Sequence, residues 1–256
     1  MTVALVRRPG PALDRGIVTH QERVPVDVAL AQRQWEDYAQ TLESHGWDLV
    51  EVPPADDCPD AVFVEDAVVV FRGMAVLTRP GADARRAEVD GVAEVVESLG
   101  VPIARIEKPA TLDGGDVLKV GDTVYVGRGG RTNGEGIHQL RRLLSPLGAS
   151  VVAVPTTRVL HLKSAVTALP DGTVIGFPPA VDDPAFFGRF VPVPEESGAH
   201  VVLLGGDRLL MAADAPRSEA LLADLGYEPV TVDIGEFQKL EGCVTCLSVR
   251  LRDLAR

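Results

Sequence analysis

The segment EGCVTCLSVRLRDLAR (residues 241–256) decides how this chain folds. Chain ends are usually frayed and expendable. This one carries two of the three cysteines, Cys243 and Cys246, and apolar side chains at Val244, Leu247, Val249 and Leu251. It reads as a buried strand, so the tail is expected to be built into the core. A strand with no helix of its own needs partners elsewhere. The opposite end offers them: VALVRRPG (3–10), the helical stretch AQRQWEDYAQTLESHG (31–46) and the strand WDLVEVP (47–53) form a unit that lacks its first strand.

Between those ends the chain repeats itself. DAVVVFRGMAVLTRPG (66–81) gives two apolar strands around a tight turn, ARRAEVDGVAEVVESLG (84–100) gives a helix, and VPIARIEKP (101–109) gives a third strand. The helix assignment rests on Val89, Val92, Val95, Val96 and Leu99, which recur at helical spacing. Further units start at Asp116, Ser164 and His200, each with a Gly-containing turn between apolar runs, the short-range signature of a hairpin. The unit at Ser164 offers only a short, irregular helical candidate near DDPAFFGRF (182–190). Joining tail to head supplies a fifth unit. Such a repeat implies an α/β architecture of stacked or radially arranged ββαβ units. Residues 1–256 then form a single domain, with the C-terminal strand completing the N-terminal unit.

Composition narrows the function. At 46% hydrophobic, the 256 residues can bury a large core. Three cysteines are too few, and an odd number, for a disulfide framework, and they point to a reducing compartment, the cytoplasm. The N-terminal apolar stretch of about four residues is shorter than a signal-peptide core, and no window approaches the ~18 apolar residues of a membrane-spanning helix. A net charge of −12 argues against nucleic acid and acidic membranes, which need a basic face, and suits a small cationic substrate. None of Lys108, Lys119, Lys163 and Lys239 stands in a P-loop, and the glycines of GRGGRTNGEG (127–136) lack the spacing of a dinucleotide loop. No cofactor is expected.

If the units close into a ring, the starts of equivalent strands meet at its axis. The polar residues there are Glu65 and Asp66, Asp113 and Asp116, His161 and Ser164, and Cys246. Cysteine, histidine and carboxylate suit nucleophilic catalysis, in which thiolate attacks, imidazole moves the proton and carboxylate fixes its tautomer. Singly, each has a plainer reading: a core cysteine, a satisfied histidine between Leu160 and Leu162, and a turn-forming Asp113. Their recurrence at one topological position favours a site. A metal held by Cys243, Cys246 and His161 is disfavoured, because the odd spacing along one strand would point the two sulfurs to opposite faces. A CxxC redox pair is disfavoured as well, since such motifs open a helix.

FVEDAVVV (63–70), RPGADARRAEV (79–89), TLDGGDVL (111–118), GRGGRTNGEG (127–136), LHLKS (160–164) and GCVTCLSV (242–249) together resemble the dimethylarginine dimethylaminohydrolases, in the same order and over almost the whole chain. The resemblance implies the pentein fold, a five-bladed α/β propeller of ββαβ units around a pseudo-fivefold axis. It also implies hydrolysis of Nω-methylated arginine to citrulline and dimethylamine or methylamine through a covalent cysteine thiouronium. Carried over by motif, Cys246 is the nucleophile, His161 the general acid and base, and Asp113 its orienting carboxylate. Glu65 and Asp66 would grip the guanidinium, Asp60 would help hold the substrate, and Arg85 and Arg131 would bind its α-carboxylate as forked donors. Ile17, in a lid near GIVTH (16–20), and Leu240, ahead of Cys246, would touch it through their backbones. Cys58 and Cys243 receive no role beyond packing or surface thiols. The implied partner is a small cationic guanidino compound, bound by a monomer or homodimer. The alternatives are another guanidine-modifying activity, such as arginine deiminase or amidinotransferase, or a non-enzymatic pentein binding protein. Arginine deiminases are typically longer, and a ribosomal partner suits −12 poorly.

Overall fold

Short apolar strands punctuated by left-handed turn residues dictate the architecture of this computed structural model, which describes residues 2–252. The N-terminal unit contains β1 (Val3–Val6), α1 (Val28–Ser44) and β2 (Asp48–Glu51). The second contains β3 (Val68–Phe71), β4 (Met74–Leu77), α2 (Glu88–Ser98) and β5 (Ile103–Arg105). The third contains β6 (Val117–Val120), β7 (Thr123–Arg128), α3 (Gly134–Leu144) and β8 (Ser150–Pro155). The fourth has β9 (Val166–Ala168), β10 (Val174–Gly176) and β11 (Phe190–Pro192), with single 3-10 turns at Pro178–Ala180 and Pro184–Phe186 where the others carry an α-helix. Prolines at 178, 179 and 184 explain this, since each removes an N–H donor that a helix interior needs. The fifth contains β12 (Val202–Gly205), β13 (Arg208–Ala212), α4 (Pro216–Asp224) and β14 (Glu228–Val232). A one-turn α5 (Gly235–Gln238) leads to the tail strand β15 (Val249–Leu251).

Every unit has the same wiring. An antiparallel hairpin is followed by a crossover and a third strand parallel to the second, giving five three-stranded sheets among the described residues. In the N-terminal unit the hairpin partner of β1 is β15, paired antiparallel as Val3↔Leu251 and Leu5↔Val249, while β2 lies parallel on the other side. The β3–β4 turn is built from Arg72 (φ 46°) and Gly73 (φ 77°), the left-handed pair that a two-residue hairpin matching strand twist requires. Asp27 and Asn133 start α1 and α3 by accepting the N–H of Leu30 and Gly136.

The ring closes because the inner two strands of each sheet are largely buried on both faces. Alternate residues of a strand point to opposite faces, and each face feeds a different core. In β1, Ala4 and Val6 pack with α1 and with Val202, Leu204 and Leu210 of the fifth unit. Val3 and Leu5 pack instead with Val68, Leu77 and α2 of the second. Val69 and Phe71 pass the pattern to the third unit, Leu118 and Val154 to the fourth, and Leu169 and Ile175 to the fifth. That is why these strands read as unbroken apolar runs rather than alternating ones. No helix among the described residues is long and apolar enough to cross a membrane.

One expectation fails here. The tail is not a strand from Val244 onward, since β15 begins only at Val249. Residues 243–246 form a turn closed by the Cys246 N–H on the Cys243 carbonyl (3.0 Å). Tyr38 holds that turn by donating its hydroxyl to the Val244 carbonyl (2.9 Å).

Candidate active site

The innermost strands are each preceded by a tight turn that presents polar side chains at one end of the axis. Single 3-10 turns at Val64–Ala67, Gly114–Asp116 and Leu162–Ser164 precede β3, β6 and β9, and the 243–246 turn precedes β15. The paired glycines of TLDGGDVL allow these turns to touch. A Cβ on Gly114 would lie 2.0 Å from the Glu65 carbonyl, and one on Gly115 would lie 2.6 Å from His161 Nδ1 and 2.7 Å from Asp66 Oδ1. Only residues without a side chain permit that approach.

His161 lies between two carboxylates. Its Nε2 is 2.9 Å from Asp113 Oδ2, and its Nδ1 is 3.7 Å from Asp66 Oδ1. Burial by itself would lower the imidazole's pKa, but Asp66, Asp113 and Asp116 outweigh it and raise the value to about 9. Burial likewise opposes ionisation of Asp66, yet His161 and Arg85 hold its carboxyl well below the usual carboxylate range. Asp66 Oδ1 accepts from the Gly115 N–H (2.8 Å) and Oδ2 from Arg85 Nη1 (2.6 Å). Asp66, Asp113 and His161 are also the one group of described residues whose atoms converge closely enough (within 4.8 Å) to hold a metal ion. Their atoms are already engaged with one another, and the raised pKa of His161 favours a proton there over a metal.

Cys246 is buried, and it lines a cleft of about 20 Å³ together with Asp60, Asp66, Arg131, His161 and Leu240. Its sulfur is 3.3 Å from that of Cys243. The turn therefore brings the two sulfurs together, which corrects the expectation that a strand would point them apart and removes that objection to shared ligation; the objection to a CxxC redox pair stands, since the turn leads to a strand and opens no helix. The contact shifts both thiols. Cys243 hydrogen bonding, then burial, then the Glu65 and Asp66 carboxylates push the Cys246 thiol well above its ordinary value. The hydrogen bond from Cys246 lowers Cys243 to about 5, against burial.

The other residues singled out in the sequence divide. Arg131 Nη1 is buried without a hydrogen-bond partner, 3.8 Å from Asp113 Oδ2, an arrangement open to an incoming anion. Asp60 is buried in the cleft wall and accepts the Ile17 N–H at 3.0 and 3.2 Å. That bond spends the Ile17 donor, leaving only its carbonyl for a ligand. Arg85 lines the cleft, but its fork is engaged by Glu88 (Nε at 3.0 Å, Nη2 at 2.8 Å) and its Nη1 by Asp66. It positions Asp66 and is not free to clamp a carboxylate as a fork.

Glu65 departs furthest from expectation. Its carboxylate points away from the cleft, to Lys163 Nζ (2.6 Å), Arg250 Nη2 (3.0 Å) and the Thr245 hydroxyl (2.9 Å). Three cationic or donor groups on that side outcompete the guanidinium role expected of it. Sequence reasoning also missed Glu88, Lys163 and Arg250. The i, i+3 spacing of Arg85 and Glu88 was the available signal for the first. Glu241 was missed too, though it fastens the lid by accepting the N–H groups of Thr19 (3.1 Å) and His20.

No family model matches the chain. It is 69% identical, over 98% of its length and 97% of the relative's, to the N(G),N(G)-dimethylarginine dimethylaminohydrolase of Streptomyces coelicolor. The protein of the same name from Pseudomonas aeruginosa is 35% identical over 96% of this chain and 98% of its own. A solved structure of the Pseudomonas aeruginosa protein, a cysteine-to-serine mutant complexed with citrulline, matches with a TM-score of 0.90 and 34% identity, covering 97% of this chain and 98% of that one.

Proposed function

This chain belongs to the dimethylarginine dimethylaminohydrolase family, and on that premise we propose that it hydrolyses Nω-methylated arginine to citrulline and dimethylamine or methylamine. One observation carries the reading for these residues. Around a single buried thiol the cleft sets the carboxylate of Asp66 and the unpartnered Nη1 of Arg131, complements of a guanidinium and of an α-carboxylate. Asp66 pairs with the substrate's guanidinium and fixes its plane, and Asp60 supports the same wall. Cys246 then attacks the guanidinium carbon. The tetrahedral adduct collapses when His161, protonated up to a pKa of about 9, gives its proton to the departing methylamine nitrogen. The C–N bond breaks, leaving a thiouronium on Cys246. Neutral His161 takes a proton from water as its oxygen adds to that carbon; the adduct's hydroxyl then gives its proton to the departing sulfur as the C–S bond breaks, which releases citrulline and restores the thiol. Asp113 keeps His161 oriented throughout.

The thiol enters this cycle protonated and gives its proton to solvent as the substrate's cation settles in the cleft. Cys243 and the carboxylates disfavour a Cys246 thiolate until a bound cation offsets their field, so the substrate assists its own attack. The cleft of about 20 Å³ holds little more than one water, and the loop around Ile17 moves aside to admit the substrate. The reading extends to one catalytic domain over residues 1–256, working in the cytoplasm as a monomer or homodimer on a small guanidino compound, without nucleic acid or membrane.

Citrulline release from asymmetric dimethylarginine, monomethylarginine and arginine, with each product amine identified, tests the reading. Both methylated substrates should give citrulline and their methylamines. Turnover of arginine alone, with ammonia, would make the protein a deiminase instead.

A further inference from the structure

A larger cavity, about 610 Å³, lies at the opposite end of the axis and does not touch Cys246. It sits on the axis itself, because residues of all five innermost strands, β3, β6, β9, β12 and β15, line it. Its volume falls within the ~300–1,000 Å³ typical of small-molecule sites. Its charge is opposite to that of the protein. Arg72, Lys119, Lys163, Arg250 and Arg252 line it with a single acidic residue, Glu65, in a chain of net charge −12.

The cations differ in how they are engaged. Arg72 is paired with Asp122 outside the cavity, and Arg252 stacks over Trp47 and donates to the Leu203 carbonyl. Arg250 and Lys163 share the one carboxylate, Glu65. Among the described residues the one hydrogen-bond partner of Lys119 is neutral, the Val70 carbonyl at 2.9 Å. An ammonium has three donors, so Lys119 and Lys163 each keep two for a ligand. Protein surrounds Lys119, yet its side chain is exposed to the open cavity. The like charges of Lys163 and Arg250 lie close enough to act on it. Five cations gathered around one lining carboxylate cost free energy that a bound anion removes.

We propose that this axial cavity binds a small multivalent oxyanion, a phosphate or a polycarboxylate, held chiefly by Lys119 and Lys163. The site is separate from the catalytic cleft. Glu65 stands between them, its backbone N–H on the Cys246 carbonyl (3.2 Å) and its carboxylate turned into the cavity.

Calorimetric titration of the full chain with inorganic pyrophosphate, and in parallel with citrate, at low ionic strength tests this. One saturable site is expected, and the tighter of the two anions identifies phosphate or carboxylate as the ligand class. Lys119→Gln should weaken binding about tenfold or more, the loss of a charge-assisted contact, while Lys119→Arg should bind as the parent does. Saturating citrulline and Arg131→Gln should leave binding unchanged. No saturable binding would overturn the proposal. So would an affinity lost with Arg131→Gln but kept with Lys119→Gln, which would place the anion in the catalytic cleft. Neither outcome depends on whether methylarginine is turned over.

Discussion

At the scale of single residues, the behaviour of Cys246, the proposed nucleophile, depends on a neighbour with no place in the proposed reaction. Cys243 and Cys246 hydrogen-bond across 3.3 Å, so the pair shares its protons, and a thiolate on one sulfur makes ionisation of the other harder. Glu65 and Asp66 act on Cys246, and His200 acts on Cys243, which biases the first thiolate toward Cys243 in the free protein. Alkylation of Cys246 by iodoacetamide should therefore titrate above an ordinary thiol, for which ~8.5 is usual. Removing the competing sulfur with Cys243→Ser should bring that titration to lower pH, and mass spectrometry should still find the substrate adduct on Cys246. A titration unmoved by Cys243→Ser would mean that burial and carboxylates alone set the thiol. A low pKa in the unaltered protein, insensitive to arginine analogues, would favour a preformed ion pair of Cys246 with His161. Composition and motif were enough to single out Cys246 and His161. The sulfur–sulfur contact was not legible, because it depends on residues 243–246 turning rather than extending.

At the scale of elements, the loop after Gly16 closes the cleft through two carboxylates on different parts of the chain. Asp60 accepts from Ile17, and Glu241 accepts from Thr19 and His20. Glu241 does so from a left-handed backbone (φ 60°), a conformation that costs a residue with a side chain roughly 1 kcal/mol or more. Glu241→Ala keeps the backbone cost and removes the latch. It should speed hydrogen exchange at the amides of Thr19 and His20 and raise KM severalfold, leaving adduct formation on Cys246 intact. Unchanged exchange at those amides would show that Asp60 alone holds the loop. Helices and hairpins could be read in advance, because α2 carries its valines at helical spacing and the turns carry Gly between apolar runs. The lid near Ile17 came only with the family resemblance, and its anchors could not be read, because they lie far apart in sequence (43 and 222 positions for Ile17–Asp60 and Thr19–Glu241) and nothing in local spacing encodes such a pair. The direction of the Glu65 side chain was hidden for the same reason, since Lys163 and Arg250 come from other units.

At the scale of the whole molecule, the ring has no sheet to spare. Among the described residues β15 is the one hairpin partner of β1, and its Val249 and Leu251 enter the core between the first and second units. Arg250, between them, ties the Glu65 carboxylate to the backbone of Thr245 and Ser248. Closure of the ring and order around Cys246 thus depend on the same three residues. A chain ending at Ser248 keeps Cys246, His161 and Asp113 but loses all three. It should fail to unfold cooperatively and should release no citrulline. Leu251→Ala is the milder case, removing a fully buried side chain from a site that cannot easily collapse. It should cost about 2–5 kcal/mol of stability, read as a lower midpoint in urea with an unchanged slope. Activity below that midpoint should persist, because Leu251 does not line the cleft. A chain ending at Ser248 that melts as sharply as the full one would show that four units suffice, and the tail would then be an accessory to the fold.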